Sequence, residues 1–197
     1  MILAVLIAAI CNCEVCPERQ NDFVWENDKF GMRAYGPGEY HKWSGLDIFN
    51  KNTPKNVCLG WCHRTVKGNF HQNRGEGMDN YTVGASRGLG GVAMFADGEW
   101  KTYPDWESSR VIHVCDDYLE FELVYPAFSA AGRMTYHITL RRGERFFRND
   151  VSFERMPKDF IAGPGLYWAG ASWSLAGEIT TPEQWHACVR NFRKGLK

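Results

Sequence analysis

Apolar and polar residues alternate with a period of two in several short stretches of this chain, and turn-forming residues separate the stretches. The clearest is "YLEFELVY", residues 118–125. Leu119, Phe121 and Leu123 fall on one face and Glu120 and Glu122 on the other, the pattern of a strand with one wet face. "MTYHITL", residues 134–140, follows across "PAFSAAGR" and is placed to pair with it. "RRGERFF" then supplies a turn, and "RNDVSFERM" another strand. Upstream, Phe30, Met32 and Ala34 alternate with Gly31, Arg33 and Tyr35. "YGPGEY" reads as a turn, "SGLDIF" (residues 44–49) as a short strand and "NKNTPKN" as an exposed loop. Helical spacing is absent until the end. There, "TTPEQWHACVRNFRKGLK" offers Thr181 as N-cap, Pro182 at the first helical position and Gln184 to close a capping box. Trp185, Cys188, Val189 and Phe192 recur at helical spacing, with Arg190, Arg193 and Lys194 toward the negative end of the helix dipole. The pattern predicts an all-β, antiparallel β-sandwich with a short C-terminal α-helix.

Composition agrees with a packed domain. Of 197 residues, 44% are hydrophobic and 14% aromatic, which excludes a disordered chain. Lys plus Arg equals Asp plus Glu at 23 each, so no polyanion-binding surface is predicted and an acidic ligand needs a local site. No P-loop, dinucleotide fingerprint, "HExxH" or "GxSxG" is present, and no cofactor is expected. Residues 1–16 read as a signal-like apolar segment and residues 17–197 as one domain. The apolar run at 2–10 is too short to span a bilayer. It is similar to a secretory h-region without its positive flank, and Cys11 follows "AAI" as in a poor lipoprotein box. A periplasmic or secreted location is expected, with a lipid anchor as its variant.

Seven Cys include the clusters "CNCEVC" (Cys11, Cys13, Cys16) and "CLGWC" (Cys58, Cys62), the second beside His63. The spacings match a zinc site only loosely, and the odd count argues against a complete disulfide framework. No metal is expected.

Residues 70–91, "FHQNRGEGMDNYTVGASRGLGG", hold too many glycines for a strand. Among them stand His71, Arg74, Glu76, Asp79, Tyr81 and Arg87. Two carboxyls, a His and a Tyr within eleven residues are able to form an acid–base set; the plainer reading is a solvated polar loop. A second cluster, Trp25, Glu26, Asn27 and Asp28, reads equally as a cleft rim or as turn chemistry. His41 and Trp43 form a third, where ordinary surface and core roles are favoured. Any single Trp is more often core than a sugar platform.

"PERQNDFVWENDKFGMRAYGP", "SGLDIF", "HQNRGEGMDNYTVGASRGLGG" and "YWAGASWSLAGEITTPEQW" together resemble the bacterial domain of unknown function 4861. The resemblance covers most of residues 17–197. It implies a galactose-mutarotase-like β-sandwich and a role in degrading uronic-acid-rich polysaccharides such as ulvan. The implied activity is that of an oligosaccharide dehydratase, a carbon–oxygen lyase. Relative to the family the chain looks truncated, before "PERQNDF" and near "MPKDFIAGPGLYW". Such chemistry needs a base for the proton beside the carboxylate, an acid for the leaving hydroxyl and a cation for the carboxylate. We assign His71 and Tyr81 as the acid–base pair and Arg87 or Arg74 as the carboxylate clamp. Glu76 and Asp79 then orient His71 or hold a cation, Trp25 and Trp43 stack on the sugar, and Glu26 and Asn27 join them in the substrate site. A non-catalytic carbohydrate-binding module or an inactive fragment is the alternative. The expected partner is an oligosaccharide, with neither nucleic acid nor a membrane span.

Overall fold

The computed structural model describes residues 10–37, 45–64, 71–79, 83, 88–96, 99–103, 105–127, 130–157 and 161–166. The chain divides into a unit of Met1–Tyr167 and a unit of Trp168–Lys197. All described residues belong to the first unit, and the helix predicted from Thr181 onward lies outside them.

The strands are β1 (Asn12–Cys16), β2 (Asp22–Glu26), β3 (Phe30–Ala34), β4 (Leu46–Lys51), β5 (Gly77–Met78), β6 (Leu89–Ala96), β7 (Glu99–Thr102), β8 (Ser108–Val114), β9 (Tyr118–Tyr125), β10 (Met134–Arg141), β11 (Arg148–Phe153) and β12 (Ile161–Leu166). They form three sheets, in the orders β1-β2-β3-β4-β5, β11-β10-β9-β8 and β12-β6-β7. Every strand pair is antiparallel, so the fold is the expected all-β antiparallel sandwich.

The period-two stretches behave as their pattern requires. Along β9, Leu119, Phe121, Leu123 and Tyr125 are buried while the residues between them are half-buried. β10 does the same with Met134, Tyr136, Ile138 and Leu140. The two strands pair from Met134↔Tyr125 to Arg141↔Tyr118. Their inner face packs on that of the five-stranded sheet, where Phe23 and Phe121 stack at 4.5 Å and Trp25 lies 5.2 Å from Phe121.

The structure corrects the sequence reading in two places. Residues 12–16, assigned to the signal-like segment, are strand β1, which pairs with β2 along its whole length. Cys11, Cys13 and Cys16 are buried there. A helix, α1 (Cys58–Arg64), also forms where no helical period was found. Its seven residues make two turns, too few to show a period.

This helix changes the environment of the five-stranded sheet. Each residue of β2 and β3 is buried, because the sheet is covered on both faces. Phe23, Trp25, Phe30 and Met32 enter the main core. The opposite face carries Val24 and Phe49, which pack with Val57, Cys58, Trp61 and Cys62 of the α1 region. It also carries Asp22, Glu26, Arg33 and Asp47, all at 4% exposure or less. Gly31 lets α1 approach closely on this face: a Cβ there would collide with the Cys58 side chain.

Candidate functional site

The register of β2, β3 and β4 sets Val24, Arg33 and Asp47 in one row across the covered face. Arg33 Nε donates to Asp47 Oδ2 at 3.0 Å, and its Nη1 to Asp22 Oδ2 at 3.0 Å. Nη2 donates to the Tyr35 hydroxyl at 3.1 Å and lies 3.8 Å from Asp79 Oδ2. Tyr35 in turn donates to Asp47 Oδ2 at 3.3 Å, and the guanidinium lies 4.5 Å from the Tyr35 ring centroid. Burial works against the Arg33 charge, but Asp47, Tyr35, Asp22 and Asp79 outweigh it and the guanidinium is held charged. Burial pushes the Asp47 carboxyl up against the pull of Arg33. It pushes the Tyr35 phenol well above its ordinary value.

Strand β5 delivers Asp79 to this cluster. It pairs with the end of β4 through Asn50↔Met78 and Lys51↔Gly77. The pairing depends on Gly77, whose φ is +122° and whose Cβ, were there one, would strike the Asn50 carbonyl. The segment ahead of it is tied down by Asn52 N–H donating to the Glu76 carbonyl at 2.8 Å and by Trp61 Nε1 donating to Glu76 Oε2 at 3.0 Å. Asp79 is 1% exposed. The His71 side chain, 55% exposed, rests on it.

His71 Nδ1 lies 3.1 Å from the Asp79 carbonyl oxygen and 3.5 Å from its Oδ2. A carbonyl oxygen only accepts, so this bond requires the proton on Nδ1, and the neutral ring carries its lone pair on Nε2. The arrangement is a histidine oriented by the backbone carbonyl of a buried aspartate, whose carboxylate lies within ion-pair distance of an arginine. It suits a base whose ring must not rotate.

The structure thus brings His71, Asp79 and Glu76 into one anchored segment. Arg74 is exposed on the same segment. Tyr81, Arg87 and Trp43 lie outside the described residues. The "WEND" residues, expected to line a sugar site, have other positions. Trp25 is 0% exposed in the main core, with Phe147 edge-on at 6.0 Å, so its ring has no face to offer a sugar. Glu26, 1% exposed, accepts the N–H groups of Val57, Cys58 and Leu59 at 3.0, 3.0 and 3.3 Å and pairs with Lys51 Nζ at 2.7 Å. It fixes the start of α1. Asn27 donates to the carbonyls of Arg141 and Glu144 at 2.6 and 2.8 Å and accepts from the N–H groups of Lys29 and Phe30. It closes the β2–β3 turn onto the neighbouring sheet. Of the two readings of "WEND", turn and scaffold chemistry is the one observed.

Arg33, Tyr35, Asp47 and Asp22 were not among the predicted site residues. Their signal is faint but present: Arg33 and Asp47 are charged residues on the polar phase of two predicted strands.

A model of the family described as "Domain of unknown function (DUF4861)" matches residues 7–166. The chain belongs to this family. Among curated proteins it is 30% identical over 156 residues to "Uncharacterized protein P7" of Formosa agariphila, a match covering 72% of this chain and 40% of the relative. The chain therefore matches about two fifths of that relative's length. No solved structure matches.

Proposed function

We propose that this protein is a carbohydrate-active lyase that removes water from uronic-acid-containing oligosaccharides by acid–base elimination. The observation that carries the reading is the His71–Asp79–Arg33 series, in which His71 bonds the Asp79 backbone carbonyl and the Asp79 carboxylate lies within ion-pair distance of both neighbours. Its first member is exposed, its second is buried, and the first bond fixes the imidazole tautomer. In the proposed step, His71 Nε2 takes the proton from the carbon beside the sugar carboxylate. That C–H electron pair becomes the new C=C bond as the C–O bond to the neighbouring hydroxyl breaks. Tyr81 gives its proton to the departing oxygen, which leaves as water. Arg74 or Arg87 binds the carboxylate, on which negative charge builds up. Asp79 faces the proton-bearing edge of His71 and stabilises the positive charge that develops on the ring. Arg33 has no part in binding substrate, since three aspartates already surround it.

The oligosaccharide partner and a periplasmic or secreted location belong to this same proposal. Among the described residues, no helix is long and apolar enough to cross a membrane.

The test is incubation of the protein with a panel of saturated and unsaturated uronic oligosaccharides. Loss of one water is read by mass, and the unsaturated product by ultraviolet absorbance. His71→Ala and Tyr81→Phe should each lower the rate by about 10²–10⁴-fold, the usual worth of a positioned acid or base. Undiminished rates in both variants would remove the assignment. Binding without turnover by the parent, persisting in both variants, would point instead to a carbohydrate-binding module. With Trp25 in the core, that reading has lost one of its aromatic platforms.

A further inference from the structure

A second cluster of chemically able side chains lies at the end of β1 and shares no residue with those assigned to catalysis. Cys16 closes β1, Glu18 sits in the 3₁₀ turn Pro17–Arg19 that follows, and His63 is in the last turn of α1. Cys16 Sγ lies 3.5 Å from Glu18 Oε2 and 3.9 Å from His63 Nδ1, and those two atoms are 2.9 Å apart. Cys16 is fully buried, while the Glu18 and His63 side chains are 52% and 37% exposed. The cluster is therefore closed behind and open to solvent in front.

We propose that Cys16, Glu18 and His63 form a binding site for one divalent cation of borderline softness, zinc above all. A tetrahedral ion with bonds of about 2.0–2.3 Å holds its ligand atoms about 3.3–3.8 Å apart, so this triangle needs shifts of only a few tenths of an ångström. The donor set of one thiolate, one imidazole and one carboxylate suits zinc and disfavours calcium or magnesium, which require oxygen. Charge balances as well. Cys16 releases its thiol proton on binding, and thiolate and carboxylate together neutralise a doubly charged ion. The Cys62 thiol hydrogen-bonds the Cys16 sulfur from the neighbouring position on α1. It supports the ligand or supplies the fourth bond; otherwise water does. The bound ion would clip the end of β1 and the 3₁₀ turn to the last turn of α1. The proposal is independent of the acid–base reading, since it shares no residue with it.

The sequence spacing did not reveal this group. It paired the wrong partners: the structure joins one Cys from the first cluster with the His beside the second, and adds a Glu that no cysteine motif contains.

The experiment uses the full chain, reduced and freed of metal by chelation, titrated with cobalt(II) and then zinc(II). Cobalt should give a thiolate-to-metal charge-transfer band and the intense visible bands of tetrahedral coordination, and zinc should displace both. Zinc should also raise Tm. Cys16→Ser should abolish the charge-transfer band. His63→Gln, at an exposed position where folding is not at risk, should weaken zinc by at least about 10–100-fold, the range seen when even a ligand's supporting partner is disturbed. His71→Ala should bind zinc like the parent. The absence of a thiolate band overturns the proposal, as does His63→Gln binding as tightly as the parent. A Cys16–Cys62 disulfide in the native protein, seen as a mass two hydrogen atoms lower, also overturns it.

Discussion

Replacing Glu26 with Gln separates a scaffold residue from a substrate-binding one. The Glu26 carboxylate holds two buried sets of donors. Oε1 accepts from the N–H groups of Cys58 and Leu59, while Oε2 accepts from Lys51 Nζ and the N–H of Val57. Gln keeps the shape but has one acceptor. If its oxygen takes the Oε1 place, the amide NH₂ faces the Lys51 ammonium and an N–H, donor against donor. If it flips, the Cys58 and Leu59 bonds are lost instead. Either way Lys51 loses its carboxylate, and its side chain is 0% exposed. Breaking a buried pair from one side costs about 3–5 kcal/mol. For a chain of this size that lowers Tm by about 6–20 °C. Urea unfolding followed by tryptophan fluorescence should show a lower midpoint with an unchanged slope. Glu26→Gln/Lys51→Met should recover part of the loss, because it removes the stranded charge. A Glu26→Gln protein within about 1 kcal/mol of the parent would refute the burial argument. One that keeps its stability but loses turnover would return Glu26 to the substrate site.

Three further outcomes follow from the same geometry. Asp79→Asn leaves the backbone carbonyl that fixes the His71 tautomer but removes the carboxylate behind it, so kcat should fall by up to about 10²-fold with KM little changed; an equal loss in both would assign Asp79 to binding. Burial raises Asp47, so the folded chain holds this proton more tightly than the unfolded chain does. Its contribution to stability is then fully present below the unfolded value, near ~3.9, and is lost as pH rises through the folded one. The stability of the parent minus that of Asp47→Asn, from urea melts across this range, should therefore fall with rising pH; a rising difference would contradict the assignment. Gly31→Ala places a methyl against the Cys58 side chain and should cost about 1–3 kcal/mol by overpacking, read as a lower urea midpoint.

The fold was legible wherever a strand has one covered face and one wet face. Leu119, Phe121 and Leu123 announce β9, and Met134 to Leu140 announce its partner. Legibility failed where a second layer covers the wet face. Glu26, Arg33, Asp47 and Lys51 occupy the polar phase of β2, β3 and β4, and nothing in the pattern marks them as buried, because alternation records what a residue is and not what lies over it. The covering element, α1, is too short to show a period, and its tie to the sheet joins Glu26 to residues more than thirty positions away. The site divides along the same line. His71 and Asp79, eight residues apart, could be grouped by eye. Arg33, which holds Asp79, could not, since its contact with that residue depends on β5 docking on β4. Trp25 failed for a simpler reason: it shares its phase on β2 with Phe23, and both enter the core.

The covered face holds two charge clusters, and their reach distinguishes them. Lys51 and Glu26 are one cation and one anion, both buried, with the remaining carboxylate capacity taken by backbone N–H groups. Such a pair ties α1 to the sheet and acts as scaffold. Around Arg33, among the described residues, three aspartates face the guanidinium. Burial pushes the Asp47 carboxyl up against the pull of Arg33. One of the three, Asp79, carries the exposed His71 imidazole on it. This second cluster therefore runs from the covered face out to solvent, which the Glu26–Lys51 pair, at 1% and 0% exposure, does not.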